Sequence, residues 1–142
     1  MFNFEISSEP YGALLVEMAP EHQVEGKTAS SPIFIEIDVF SLLKEAVLGS
    51  NVDLSMSPIL ELSKRECLEA SEHLLLLSKA LIQAKEVAEI EGLLNFENDV
   101  VRRQLASIFI DAQVWLSNLA ENLASWLSRA AVEVSSVKIS AP

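Results

Sequence analysis

Two kinds of hydrophobic pattern divide the chain near residue 58. Before that point, apolar and polar residues alternate over short distances: Phe2, Phe4 and Ile6 alternate with polar neighbours, and similar short runs occupy residues 13–18 and 33–37. A period of two is typical of β-strands that bury one face. The pattern therefore predicts three short strands in the N-terminal part of the chain.

Turn-forming residues are concentrated in the same part. Residues 7–12 have the composition of a hairpin loop, and residues 20–32 are expected to form an exposed loop. A short helix is predicted near residues 41–48, because Gly49 follows it at the position where helices commonly end.

Beyond residue 58 the apolar positions recur every three or four residues, which is typical of amphipathic helices. Ser57 and Pro58 form a favourable helix start, and the chain has no further glycine or proline until Gly92. These signals predict one long helix over residues 58–91. Its apolar stripe resembles a coiled-coil seam with small residues: Leu60, Ser63, Cys67, Ala70, Leu74, Leu77, Leu81, Ala84 and Ala88.

A second long helix is predicted over residues 95–130, capped by Asn95 or Asn98. Because Gly92 separates it from the first, the two helices are expected to form an antiparallel hairpin. The apolar stripe of the second helix consists of Val101, Leu105, Ile108, Ala112, Trp115, Leu119, Leu123, Trp126 and Ala130.

The C-terminal segment, residues 132–139, allows two interpretations. Its β-branched residues favour a strand, whereas Val134 and Val137 could also continue the helical stripe. The predicted fold class is α+β: a small antiparallel N-terminal sheet of about three strands packs on a long helical hairpin. The C-terminal segment adds a further strand to this sheet if it is not helical.

The length of 142 residues corresponds to one domain. Within it we expect a β-rich acidic part with a short helix at 1–57, the hairpin at 58–131, and a strand or tail at 132–142.

The predicted helices are long for so small a domain. Straight helices of these lengths would measure about 50 Å, whereas a compact fold of this size spans about 37 Å. We therefore expect the helices to overhang or to bend, and an overhang would expose apolar surface. The small sheet would cover part of it, and a second copy, forming a four-helix bundle, or a different partner would cover the rest.

The chain is strongly acidic, with 21 acidic and 10 basic residues and a net charge of −11. Such a charge repels phosphate backbones and anionic headgroups, so nucleic acid and membranes are not expected partners. The acids are concentrated in residues 1–57, where Glu9, Glu17, Glu21 and Glu25 are candidates for binding a basic partner. The alternative is that this charge only keeps the chain soluble.

Trp115 and Trp126 are eleven residues apart, which places them within about 20° of each other on a helix, at the edge of the apolar arc. Tryptophans at such a boundary commonly anchor protein interfaces, so both are candidate partner-binding residues. The alternative is that they seal the rim of the core.

Motifs that carry enzymatic or metal chemistry are missing from the sequence. The four glycines are far apart, which excludes phosphate-binding loops, and there is no HExxH, CxxC or EF-hand pattern. Cys67 is interpreted as a small buried hydrophobe, and His73 as a surface partner of Glu69. The glutamates between residues 61 and 91 are interpreted as a solvated helix face. Accordingly, no cofactor and no bound metal are expected.

The N-terminus lacks the features of a secretory signal, and the longest stretch without charged residues, 112–120, is too short to cross a bilayer. Together with the single cysteine, this favours a cytoplasmic protein.

We therefore expect a non-enzymatic module that binds a protein partner. Small acidic inhibitors, immunity proteins and chaperone-like proteins share this composition, by analogy only. A structural homo-oligomer, such as a homodimer assembled through the hairpin, is the main alternative. The third and weakest is an enzyme with a site assembled from scattered residues such as His22, Glu36 and Asp38.

Overall fold

One antiparallel sheet of four strands carries the helices on one side. The structure, a computed structural model, describes residues 3–23, 31–49, 52–54, 56, 58–96 and 99–142, apart from the side chains of His22, Gln23 and Ser135. The elements follow in the order β1 (Leu15–Gln23), β2 (Ile33–Glu36), α1 (Ile37–Leu48), β3 (Ile59–Ser63), α2 (Lys64–Gln83), a 3-10 turn (Val87–Ile90), α3 (Asp99–Ser107), α4 (Phe109–Glu133) and β4 (Val134–Ser140). The predicted α+β class and the packed helical hairpin are confirmed.

The C-terminal segment is a central strand. The spatial order is β2-β1-β4-β3, so β4 lies between β1 and β3 and pairs with both in antiparallel register. Helix α4 runs into it without a loop, because Val134 takes an extended conformation and its N–H still bonds the carbonyl of Ala130. Val137 and Ile139 are fully buried. The strand interpretation of this segment is confirmed.

The second and third strands predicted from the sequence are present as β1 and β2, whereas the first is wrong. The loop predicted from residue 20 is also wrong for residues 20–23, because they continue β1 and pair with β4. Residues 3–6 lie outside the sheet, and the nearest pairing is a single bridge between Ser7 and Phe34. Phe4 and Ile6 pack against the core from the side instead. Residues 1–2 lie outside the described part.

The predicted short helix is confirmed as α1, although it begins at Ile37, directly after β2. Gly49 follows its last residue with a φ of 86°, a conformation that glycine adopts without steric cost.

The start predicted for the first long helix is wrong. Residues 59–63 form β3 instead, because they pair with β4 along their whole length. Helix α2 begins after Ser63, whose hydroxyl accepts from the Glu66 N–H at 3.2 Å while Glu66 Oε1 accepts from the Ser63 N–H at 3.0 Å. This reciprocal capping box satisfies two amide groups that a helix start otherwise leaves unpaired. Ser57 lies outside the described residues.

The predicted end of that helix is also wrong, since α2 stops at Gln83 rather than near residue 91. The side chain of Gln113, on α4, donates to the carbonyls of Leu81 and Ala84 at 2.7 and 3.1 Å. A distant side chain thus satisfies carbonyls that the end of a helix exposes. The chain continues through the 3-10 turn, where backbone N–H groups of the preceding residues lower the pKa of Glu89.

The second predicted helix is divided in two at Ile108, between α3 and α4. Ser107 donates its hydroxyl to the carbonyl of Gln104 at 2.7 Å, which is the local bonding by which serine competes with helical hydrogen bonds. Ile108 departs from helical geometry, with a ψ of 21°.

Because of these breaks, the long helices are shorter than the sequence predicted. Helices α2 and α4 contain 20 and 25 residues, or about 30 and 37 Å at 1.5 Å per residue. Both fit within the span of a compact domain, so the predicted overhang is wrong.

Helices α2 and α4 pack antiparallel through a row of small residues. Ser71 donates to the carbonyl of Ala124 at 3.0 Å, and its hydroxyl lies 2.7 Å from that of Ser128. Ser78 and Ser117 share a hydrogen bond of 2.5 Å. Small side chains allow the close approach that the sequence predicted. The middle of the predicted seam is buried as expected: Cys67, Ala70, Leu74, Leu77 and Leu81.

Replacing Ser63 with alanine is expected to lower the free energy of unfolding by about 1 kcal/mol, because the capping box is lost. Chemical denaturation measures the change. The matched control is Ser125→Ala on the exposed side of α4, for which the change is expected to stay below about 0.5 kcal/mol. Equal stability of the two variants would mean that the capping box does not stabilise the fold.

Candidate functional site

The side of the sheet that faces away from the helices is open and acidic. On β1, Val16 and Met18 are fully buried in the core, so Glu17 between them points to the open side. Glu21, four residues further along the strand, shares that side and lies opposite Ser136 of β4. Two of the glutamates predicted to bind a partner thus occur on one surface.

A third carboxylate and a lysine complete this surface. Glu61 of β3 lies opposite Lys138 of β4 in the strand register. The Ser136 hydroxyl donates to Glu61 Oε1 at 2.5 Å, and Lys138 Nζ lies 3.4 Å from Glu21 Oε1. We call Glu17, Glu21, Glu61 and Lys138 the acidic sheet face. It carries three carboxylates and one ammonium group.

Sequence reasoning misses Glu61, because a helix that begins at Pro58 includes this residue. The signal that could have found it is the S-x-x-E spacing of Ser63 and Glu66. A helix that starts there frees residues 59–63 for a strand, with Glu61 and Leu62 on opposite sides.

The N-terminal segment attaches to the sheet through Glu36, the last residue of β2. Its carboxylate accepts from the Tyr11 hydroxyl at 3.1 Å and from the Asn3 N–H at 3.3 Å. Desolvation, and beyond it the carboxylates of Glu36 and Glu5, raise the pKa of Tyr11.

The two tryptophans have different environments. Trp115 is 47% exposed and its ring centroid lies 5.8 Å from that of Phe4. Trp126 is 5% exposed and donates its indole N–H to the carbonyl of Ser31 at 3.3 Å. Trp126 thus seals the core and offers a partner little surface, so we leave it out of the candidate site. We call Phe4, Tyr11 and Trp115 the aromatic corner.

The remaining predicted glutamates belong to the loops around β1. Glu9 is exposed, and Ser7 holds its backbone by donating to the Glu9 carbonyl at 2.6 Å and accepting from its N–H at 3.2 Å. This stretch connects the aromatic corner to β1. Glu25 lies outside the described residues.

Cys67 is buried on the seam of α2, as the sequence indicated. It is 1% exposed, and burial, with a smaller contribution from Glu66, raises the pKa of its thiol to about 11. The prediction for His73 is wrong: its Nδ1 lies 3.3 Å from the carbonyl of Ala46, while Glu69 pairs with Arg65 at 2.9 Å. His73 therefore contacts helix α1 instead of the expected partner Glu69.

Of the residues weighed for an enzyme, Glu36 is engaged by Asn3 and Tyr11, Asp38 is exposed in the first turn of α1, and the side chain of His22 lies outside the described part. Among the residues that the structure describes, no group of three or more His, Cys, Asp or Glu side chains is arranged to hold a metal ion. Within the same ranges, no helix is long and apolar enough to span a bilayer.

Comparisons with protein-family models, with curated proteins and with solved structures gave no match for this chain.

The thiol of Cys67 is expected to resist thiol–disulfide exchange in the folded protein. At pH 8, with a pKa of about 11, only about a thousandth of the thiol is ionised, and the packed seam blocks access to it. We expect a disulfide reagent such as DTNB to react at least about 100-fold more slowly with the folded than with the unfolded chain.

The matched control is an asparagine-to-cysteine change at exposed Asn122 in a Cys67→Ala background, which should react at the rate of a free thiol. A folded-state rate for Cys67 similar to that of the control would show that the seam opens readily.

Proposed function

We propose that this protein is a non-enzymatic, cytoplasmic module that binds a basic protein partner through the acidic sheet face, in the manner of an inhibitor, immunity or chaperone-like protein. The observation that supports this proposal best is the convergence of Glu17, Glu21 and Glu61 around Lys138 on the open side of the sheet.

Lys138 cannot neutralise this surface by itself. Its ion pair with Glu21 is partly exposed, with 43% and 35% of the two side chains accessible, so it contributes at most about 1 kcal/mol. One ammonium group among three carboxylates leaves a negative potential over the sheet. Such a potential attracts lysine and arginine side chains and speeds the encounter with a basic partner.

The strands hold these carboxylates in fixed positions. Glu17 and Glu21 lie on β1, which is hydrogen-bonded to β2 and β4, and Glu61 lies on β3, bonded to β4. Because the backbone spacing is set by the sheet, little order has to be imposed when a partner binds. Preorganised groups lose less free energy on association than mobile ones.

The aromatic corner supplies an apolar contact near the edge strand. Glu36 connects the two regions, since it ends β2 and accepts from Tyr11 and from the residue before Phe4. Half-exposed Trp115 has the size and amphipathic character of residues that dominate interface energies. We propose Trp115, in the helix layer near the edge strand β2, as an apolar anchor for a partner that reaches around this edge, with Glu9 in the adjoining loop.

Neutralising the acidic sheet face should weaken partner capture. The variant Glu17→Gln, Glu21→Gln, Glu61→Gln keeps side-chain size and acceptor oxygens but removes three charges. If each charge contributes a few tenths of a kcal/mol to 1 kcal/mol, recovery of basic proteins from the native lysate should fall about tenfold. Quantitative mass spectrometry of the captured proteins measures the change, and raised salt should reproduce it.

The matched control changes the net charge equally on the helices: Glu45→Gln, Glu69→Gln, Glu121→Gln. This control should retain capture, whereas Trp115→Ala should reduce it while the thermal melt stays nearly unchanged. Equal loss in both triple variants would attribute capture to net charge alone, and equal retention would exclude the acidic sheet face as the binding surface.

A further inference from the structure

The helical hairpin carries a second apolar surface, on the side opposite the sheet. Leu68, Leu75 and Ile82 recur every seven residues on α2, within about 40° of each other around the helix. Val114 and Val132 lie on α4, eighteen residues apart and therefore on one line. These five side chains are 44–59% exposed, and we call them the outer hairpin face.

The two apolar lines flank the contact between the helices. On each helix they lie next to the serines that join α2 to α4, and on the side away from the core. Since those serines are small, the helices are close together and the two lines lie side by side. On α4, exposed Glu121, which accepts from Ser78 at 3.0 Å, and exposed Ser125 lie between the two valines. Apolar patches of this kind on small proteins commonly mark interaction sites.

On α2 this surface has a mirrored pattern. Leu68 and Ile82 are each seven residues from Leu75, and Glu72 and Lys79 are three and four residues from it on opposite sides. Both charged residues are exposed. If two such helices run antiparallel with Leu75 at the centre, each leucine meets an apolar residue and each glutamate meets a lysine. The α2 part of the surface is therefore complementary to itself.

Helix α4 shares the same centre. Val114 and Val132 are nine residues either side of position 123. The hydrogen bonds of Ser71 and Ser78 to Ala124 and to residues 117 and 121 place that part of α4 beside Leu75. One two-fold axis at this level therefore matches both helices with their copies at once, as an isologous interface requires.

We propose that the outer hairpin face binds a second copy of this chain, forming a two-fold symmetric dimer. In it α2 packs antiparallel to α2 of the other copy. Leu75 lies against Leu75, Leu68 against Ile82, and Glu72 against Lys79. On the second pair of helices, Val114 lies against Val132, and the four helices form a bundle.

The size of the surface fits a reversible dimer. Two neighbouring helices about 30 Å long and together about 20 Å wide present about 600 Å² per copy. The total of about 1,200 Å² is at the lower limit of specific interfaces, so the dimer should dissociate on dilution. Repulsion between two chains of net charge −11 acts in the same direction.

The dimer is independent of the proposed partner binding. The acidic sheet face lies on the far side of the sheet from the helices, so it stays accessible in both copies.

Sedimentation velocity over a range of concentrations tests the proposal. The full chain should approach twice 15.6 kDa as the concentration rises. Leu75→Asp should raise the dissociation constant at least about tenfold, because it places two carboxylates at the centre of the interface. The control Leu76→Asp changes a neighbour that is more exposed, at 64%, but points about 100° away. It should leave the mass unchanged.

Charge exchange tests the antiparallel arrangement. Glu72→Lys and Lys79→Glu should each weaken the dimer about fivefold, because each places like charges together twice. The double variant Glu72→Lys, Lys79→Glu should restore the affinity of the unaltered chain, and circular dichroism should show native helix content in all variants. A monomer at every concentration, a dimer indifferent to Leu75→Asp, or a double variant no tighter than the single ones would overturn the proposal.

Discussion

The position of β4 between β1 and β3 determines the rest of the structure. Among the described residues, the N-terminal strands and β3 are not neighbours in the sheet, so β4 joins them. Its inward side chains Val137 and Ile139 are fully buried against the helices. Because α4 continues into β4 without a loop, the packing of the hairpin also sets the position of the sheet. This strand thus couples β1 and β3 with the hairpin of α2 and α4.

The acidic sheet face depends on the same strand. Ser136 and Lys138 come from β4, and they contact Glu61 on one side and Glu21 on the other. These glutamates are 40 residues apart in sequence, and only the strand between them brings them to one surface. Meanwhile the opposite side of β4 faces the hairpin, whose outer surface remains exposed. The fold therefore has two separate surfaces available for contact, one on each side of the molecule.

Much of the fold could be predicted from the sequence, because many of its elements are determined by residues that are close together in the chain. Gly49 ends α1, and the apolar positions from Cys67 to Leu81 form the buried seam. The errors occur where groups that are distant in sequence determine whether a segment is a strand or a helix, or where a helix ends. Residues 59–63 form a strand because β4 is available to pair with them, and α2 ends where Gln113 reaches its last carbonyls. No pattern near residue 83 contains that information.

In the candidate site, too, local patterns predict some features, whereas contacts between distant residues determine the others. Charge concentration identified Glu17 and Glu21, but their convergence with Glu61 required the strand register. Helical geometry correctly placed Trp115 and Trp126 on one side of α4. It could not show that one would be covered and the other left half-exposed, because the covering groups come from the segment near Ser31 and from Phe4.

Amide hydrogen exchange of β4 tests its central role most directly. If β4 joins the sheet and the hairpin into one cooperative unit, the amides of Val137 and Ile139 should exchange only through global unfolding, as slowly as the slowest amides of α2 and α4. Exchange of the β4 amides through a lower free energy, while those of α2 and α4 remain protected, would show that the strand detaches by itself and would contradict this role.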